Sequence, residues 1–249
     1  MTAAATRGPR TPPRRTPRAR SEAALAAARA LLDARGIEAP DEIDVEALAS
    51  SCGVSLLWGE LANEEGHLVH RGDRAVARVA WHARRSAKWR FVLAHELGHF
   101  LLHRDVDQLA RCTTGERPEG GTPWRLESEA SDFATELLLP RAMVEQRCLA
   151  EAERAVAFER VKSLARDHGT SLSSTALRVS ELTDGACAVA FVTGDVVVWK
   201  RESAAFVPRL VKKKPLPAWD GLDGAVEESV PMGESSRLVW ITHKPSALR

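Results

Sequence analysis

Two histidines four residues apart, with a glutamate beside the first, stand in the segment His95-Glu96-Leu97-Gly98-His99. Four residues on an α-helix is a little more than one turn, so both imidazoles leave the same side and can meet at one ion. Glu96 can reach a water held at an open coordination position and act on it as a general base. A single Zn2+ suits such a set, because zinc accepts nitrogen and oxygen donors in a tetrahedron, acidifies bound water and polarises a carbonyl. That combination is what amide hydrolysis needs.

A third protein donor is required, and His103 is the nearest candidate. Its Cα lies about 12 Å along the helix axis from that of His95, so one tetrahedral ion can hardly join all three histidines. His103 is therefore expected to support or pack beside the ligands. The arrangement with a third histidine beyond a glycine bend is absent, since Leu102 stands at the bend position and Asp105 at the ligand position. An acid on the following helix remains. In Leu126-Glu127-Ser128-Glu129-Ala130-Ser131-Asp132-Phe133-Ala134, Glu129 shares a stripe with Asp132 and Glu136 that reads as solvated, whereas Glu127 lies above Ala130, Ala134 and Leu138. A carboxylate on an apolar face needs a charge partner, and a metal supplies one. Glu127 is thus the expected third ligand, and the small residues at 130 and 134 would let the two helices approach.

Ser131 and Asp132 are candidates to hydrogen-bond the unliganded nitrogen of a metal-bound histidine. A donor to the developing oxyanion is also useful. The chain has no tyrosine, which leaves His82, Arg90, His70 and His168 for that role.

The elements that must position these groups can be traced along the chain. Ser21 is placed to cap a helix over 22–34, and Asp44 a helix over 45–51. Short strands are expected over 54–58, 67–70 and 75–83, the last running into the metal helix 89–103 with an edge along which a substrate peptide could pair. The second metal helix runs over 126–139 and stops at Pro140. Helical segments over 143–165 and 173–182 follow, and then β-rich runs over 188–192, 195–199 and 237–242.

The paired motifs resemble the ImmA/IrrE family of metallo-endopeptidases. The matching stretches are Arg90-Phe91-Val92-Leu93-Ala94-His95-Glu96-Leu97-Gly98-His99-Phe100-Leu101-Leu102-His103 and Glu127 through Pro140, including Ala130, Phe133, Ala134 and the leucines at 137–139. The match extends over about residues 20–182. The resemblance implies His95, His99 and Glu127 as zinc ligands and Glu96 as the catalytic glutamate. It also implies a cytoplasmic protein of stress or mobile-element programmes whose substrate is a helix-turn-helix transcriptional repressor. Where the family usually has asparagine four residues after the ligand glutamate, this chain has Ser131, and Val92 replaces a common threonine or serine. The expected class is α+β: a zincin-like metallopeptidase core with a small twisted sheet and a buried HExxH helix over 21–184, then a small β-rich C-terminal annex over 185–249.

Composition sets the remaining bounds. The 249 residues are 44% hydrophobic and 28% charged, ordinary for a globular chain, and no apolar run is long enough to span a bilayer. Residues 1–20 carry six arginines and no acid, so a net charge of +1 for the whole chain becomes −5 for residues 21–249. With prolines interspersed, this basic arm reads as disordered, and contact with nucleic acid phosphates is its alternative use. Four dispersed cysteines without a CxxC pair read as free thiols. The competing functional reading is a zinc-bearing, non-catalytic regulatory protein that binds a repressor.

Overall fold

Apolar residues at helical spacing and well-placed caps start the fold at its N-terminal end. In a computed structural model, which describes residues 20–62, 64–104, 122–149, 156–207, 209–218 and 224–243, α1 (Glu22–Asp33) buries Ala24, Ala28 and Leu32. Its expected side-chain cap is not made; instead the backbone N–H of Ser21 donates to Asp132 at 2.8 Å. The cap of α2 (Val45–Ser51) is made, Asp44 accepting from the N–H groups of Glu46 and Ala47 at 3.0 and 3.1 Å.

Three strands follow, β1 (Val54–Gly59), β2 (Gly66–Arg71) and β3 (Arg74–Ala80). They form a sheet ordered β1-β3-β2, with β1 parallel and β2 antiparallel to β3. Alternation places Ala75, Ala77 and Val79 inward, while Arg74, Val76 and Arg78 face out. This corrects two expectations. The strand ends at Ala80, where Trp81–Arg85 turns into a 3₁₀ helix. It is also the central strand, so its edges are already paired; among the described residues the outer edges of the sheet belong to β1 and β2.

Against the inner face of this sheet lies α3 (Lys88–His103), which buries Val92, Leu93, Ala94, Leu97 and Phe100. Packed along it is α4 (Thr122–Leu138), whose Ala130, Phe133, Ala134, Leu137 and Leu138 are buried. A Cβ at Gly98 would lie 3.1 Å from the Cα of Ala130 and 3.1 Å from the ring of Phe133, so the missing side chain sets how closely the two helices cross.

The opposite stripe of α4 is not solvated as its polarity suggests. Glu136 is 1% exposed and pairs with Arg178, itself 2% exposed, and with Arg29. Asp132 accepts from Arg20 at 3.1 Å, and Arg20 also grips Glu181 at 2.5 and 2.6 Å. A buried charge is retained only when paired and hydrogen-bonded, and here the partners come from α1, from the two residues before it and from α7 (Leu172–Leu182). Arg20 is therefore part of the packed structure. Residues 1–19, the rest of the basic arm, lie outside the described residues.

The helical stretch expected over 143–165 is broken. After Pro140 come α5 (Arg141–Val144) and a π turn (Glu145–Leu149), and α6 (Phe158–Asp167) begins afresh after Ala157 in extended backbone. Together α6 and α7 pack on an antiparallel sheet ordered β5-β4-β7-β6, made of β4 (Cys187–Thr193), β5 (Val196–Glu202), β6 (Ala225–Pro231) and β7 (Ser236–His243). Its helix-facing side carries Cys187, Val189, Leu238 and Trp240; the other side carries Ala188, Ala190, Val239 and Ile241 beneath Phe206 and Leu210. Both faces are covered, which is why β4 reads as a continuous apolar run. The architecture is α+β, with a helix and sheet core and a separate C-terminal antiparallel sheet. Among the described residues no helix is long and apolar enough to cross a membrane.

Candidate metal centre

The α3–α4 crossing brings His95, His99 and Glu127 together. The Nε2 atoms of the two histidines are 3.1 Å apart, and the Glu127 carboxylate lies 3.2 Å from His95 Nε2 and 3.3 Å from His99 Nε2. Zinc bonds nitrogen and oxygen at about 2.0–2.2 Å, and a tetrahedron of that size has edges of roughly 3.3 Å. Two neutral nitrogens and one carboxylate oxygen at this spacing therefore fit a divalent ion with room for a fourth ligand, and among the described residues they form the one His/Cys/Asp/Glu group able to do so. Partial burial works against the charge on Glu127, but the adjacent imidazoles of His95 and His99 outweigh it and hold the carboxyl well below the usual carboxylate range. The Glu127 side chain is still 40% exposed, so it meets the metal helix near the surface rather than in a dry core.

Glu96 is 1% exposed and lies under the start of β2. A Cβ on Gly66 would stand 2.5 Å from both Glu96 Oε1 and Val92 Cγ1, so any larger residue here must displace those side chains. Gly66→Ala is expected to push Glu96 aside and lower peptide turnover at least about tenfold, a misplacement of under an ångström being costly in catalysis. Metal content measured alongside turnover should stay at the wild-type level, and full turnover would show that Glu96 needs no such seat.

The remaining candidates separate by what they touch. Ser131 Oγ lies 3.2 Å from His95 Nδ1, so the serine supplies the contact that its position suggested. His103 Nδ1 is 3.2 Å from His99 Nδ1, on the side away from the converging Nε2 atoms, and its Nε2 is 3.0 Å from Glu129. Burial lowers the pKa of His103 despite the opposing pull of Glu129. Asp132 is turned to Arg20 and Ser21 and does not join the histidines. Arg90 donates to the carbonyl of Ile43 at 2.7 Å and lies against Gly169, while His168 is buried with Nδ1 on the carbonyl of Leu138 at 2.8 Å. Both hold helices in place rather than joining the ligand set. His82 is exposed on the 3₁₀ turn, and His70, exposed near the end of β2, sits edge-on to Phe100. Sequence reasoning missed Gly66, which stands just before the strand expected over 67–70, and the Arg125–Glu129 pair, whose spacing of four residues on a helix was the available signal.

Fold and site together define a peptidase-type α+β domain with a His/His/Glu set able to hold a divalent metal. Residues 60–180 match the family model described as the IrrE N-terminal-like domain, peptidase family M78, and the chain carries a domain of that family. No curated protein matches the chain. Among solved structures, one described as a Mycobacterium tuberculosis transcriptional regulator is similar with a TM-score of 0.55 at 14% identity, covering 90% of this chain and 76% of that one. That likeness is one of fold.

Proposed function

We propose that this chain is a zinc endopeptidase that hydrolyses a peptide bond in a protein substrate. The observation that carries the reading is the convergence of His95, His99 and Glu127 at tetrahedral spacing with Glu96 buried on the same helix. The three would hold one zinc ion, which when bound acidifies water and polarises the scissile carbonyl. Glu96 takes the proton of the attacking water and returns it to the leaving amine. His95 and His99 are kept in register by Ser131 and His103. Pairing of the substrate backbone along the outer edge of β2, unpaired among the described residues, is supported by β2 being the edge strand that passes over Glu96.

The substrate we assign is a helix-turn-helix repressor in the cytoplasm. The resemblance of the paired motifs supports this. The described cysteines, Cys52, Cys148 and Cys187, are free, as a reducing compartment allows. Incubation of the zinc-loaded chain with helix-turn-helix repressors, followed by intact mass measurement, is expected to give two fragments whose masses total the substrate plus one water. A stable complex with intact repressor would replace cleavage by binding.

A further inference from the structure

We infer that His103, backed by Glu129 and Arg125, is a positioning residue that fixes the tautomer of His99 and so sets the affinity of the site for zinc; the inference rests on the metal reading above. His99 turns Nε2 toward His95 and Glu127, at 3.1 and 3.3 Å. A neutral imidazole that gives one nitrogen to a metal keeps its proton on the other, and the group facing that second nitrogen decides whether the arrangement is stable. Facing His99 Nδ1 is another ring nitrogen, Nδ1 of His103, at 3.2 Å. Two N–H groups cannot point at each other, so one of the pair must accept.

The rest of the chain of contacts says which. His103 Nε2 is 3.0 Å from Glu129 Oε2, and a carboxylate only accepts, so the proton of a neutral His103 belongs on Nε2. Its Nδ1 is then the acceptor, and the proton of His99 belongs on Nδ1, which leaves His99 Nε2 bare for the ion. Glu129 is held in turn by Arg125 Nε at 2.9 Å. Each proton has one place. The His103 side chain is 8% exposed and that of Glu129 16%, so little water competes for these bonds. His95 is served differently, by the neutral hydroxyl of Ser131 at 3.2 Å. Through His103, His99 Nδ1 is therefore linked to the carboxylate of Glu129. Residues 95, 99 and 103 form one helical stripe, and the third histidine extends the site outward from its ligand instead of adding a ligand.

The test is zinc affinity of the full chain, measured by competition with a chromophoric chelator and without reference to hydrolysis. His103→Leu is expected to weaken zinc binding by about 10–100-fold, the usual worth of an outer partner, with thermal stability of the zinc-free chain unchanged. His103→Asn, whose Oδ1 can stand where Nδ1 accepts, is expected to recover most of that loss, which a purely packing role would not produce. Glu129→Leu should weaken binding in the same direction and serves if His103→Leu does not fold. Wild-type affinity in His103→Leu or Glu129→Leu, or an Asn variant no better than Leu, overturns the inference. Zinc binding that survives His99→Ala undiminished overturns the metal reading and this inference with it.

Discussion

A Glu96→Gln chain is expected to bind zinc as the wild type does and to lose roughly 10²–10⁴-fold of its peptide hydrolysis, the range a positioned general base contributes. The substitution is chosen for its geometry. Glutamine keeps the volume that fits beneath Gly66 and beside Val92, so neither β2 nor α3 has reason to shift. What disappears is the ability to take a proton from the attacking water. Because Glu96 is not one of the three converging donors, metal content should be unaffected. The loss should fall on kcat with KM little changed, since the glutamate acts in the transition state and not in holding the substrate. Turnover and bound zinc measured on the same preparations check both halves. Equal turnover by the two chains would remove Glu96 from the mechanism.

Glu127→Ala is expected to act on the metal itself. The carboxylate is the one anionic member of the set, and without it two imidazoles must hold the ion alone. The loss of zinc affinity should exceed the roughly 10–100-fold that outer partners are worth. Folding should be nearly unaffected, because the side chain is 40% exposed and the packing of α4 depends on Ala130, Phe133 and Ala134. Glu127→Gln, which keeps an oxygen donor but no charge, should fall between the two. Zinc retained through dialysis against a weak chelator distinguishes the three chains. A Glu127→Ala chain that keeps zinc like the wild type would mean that another acid completes the set.

The parts of the site legible in the sequence are those that local periodicity governs. His95, Glu96 and His99 lie on one helix, and Glu127 could be placed by the small residues that follow it on the face toward α3. The cap of α2 by Asp44 was equally local. What escaped depends on partners distant along the chain. Asp132 and Glu136 look like a solvated stripe until Arg20, Arg29 and Arg178 are folded onto them from α1 and α7. The central place of β3 follows from pairing with both β1 and β2, which no single strand's alternation reveals. Strand β6 carries Glu227, Glu228, Ser229 and Pro231 on a sheet edge, a composition with little strand signal. Gly66 belongs to the same class, since the close approach made there is to Glu96, thirty residues later in the chain.

The most direct measurement is the anomalous diffraction of the zinc-loaded chain at the zinc absorption edge. A single ion is expected, bonded to Nε2 of His95, Nε2 of His99 and the carboxylate of Glu127, with Glu96 outside the protein ligand set and His103 bonded to His99 instead of the metal. An ion bonded to His103 or Glu129, or lying away from the α3–α4 crossing, would contradict it.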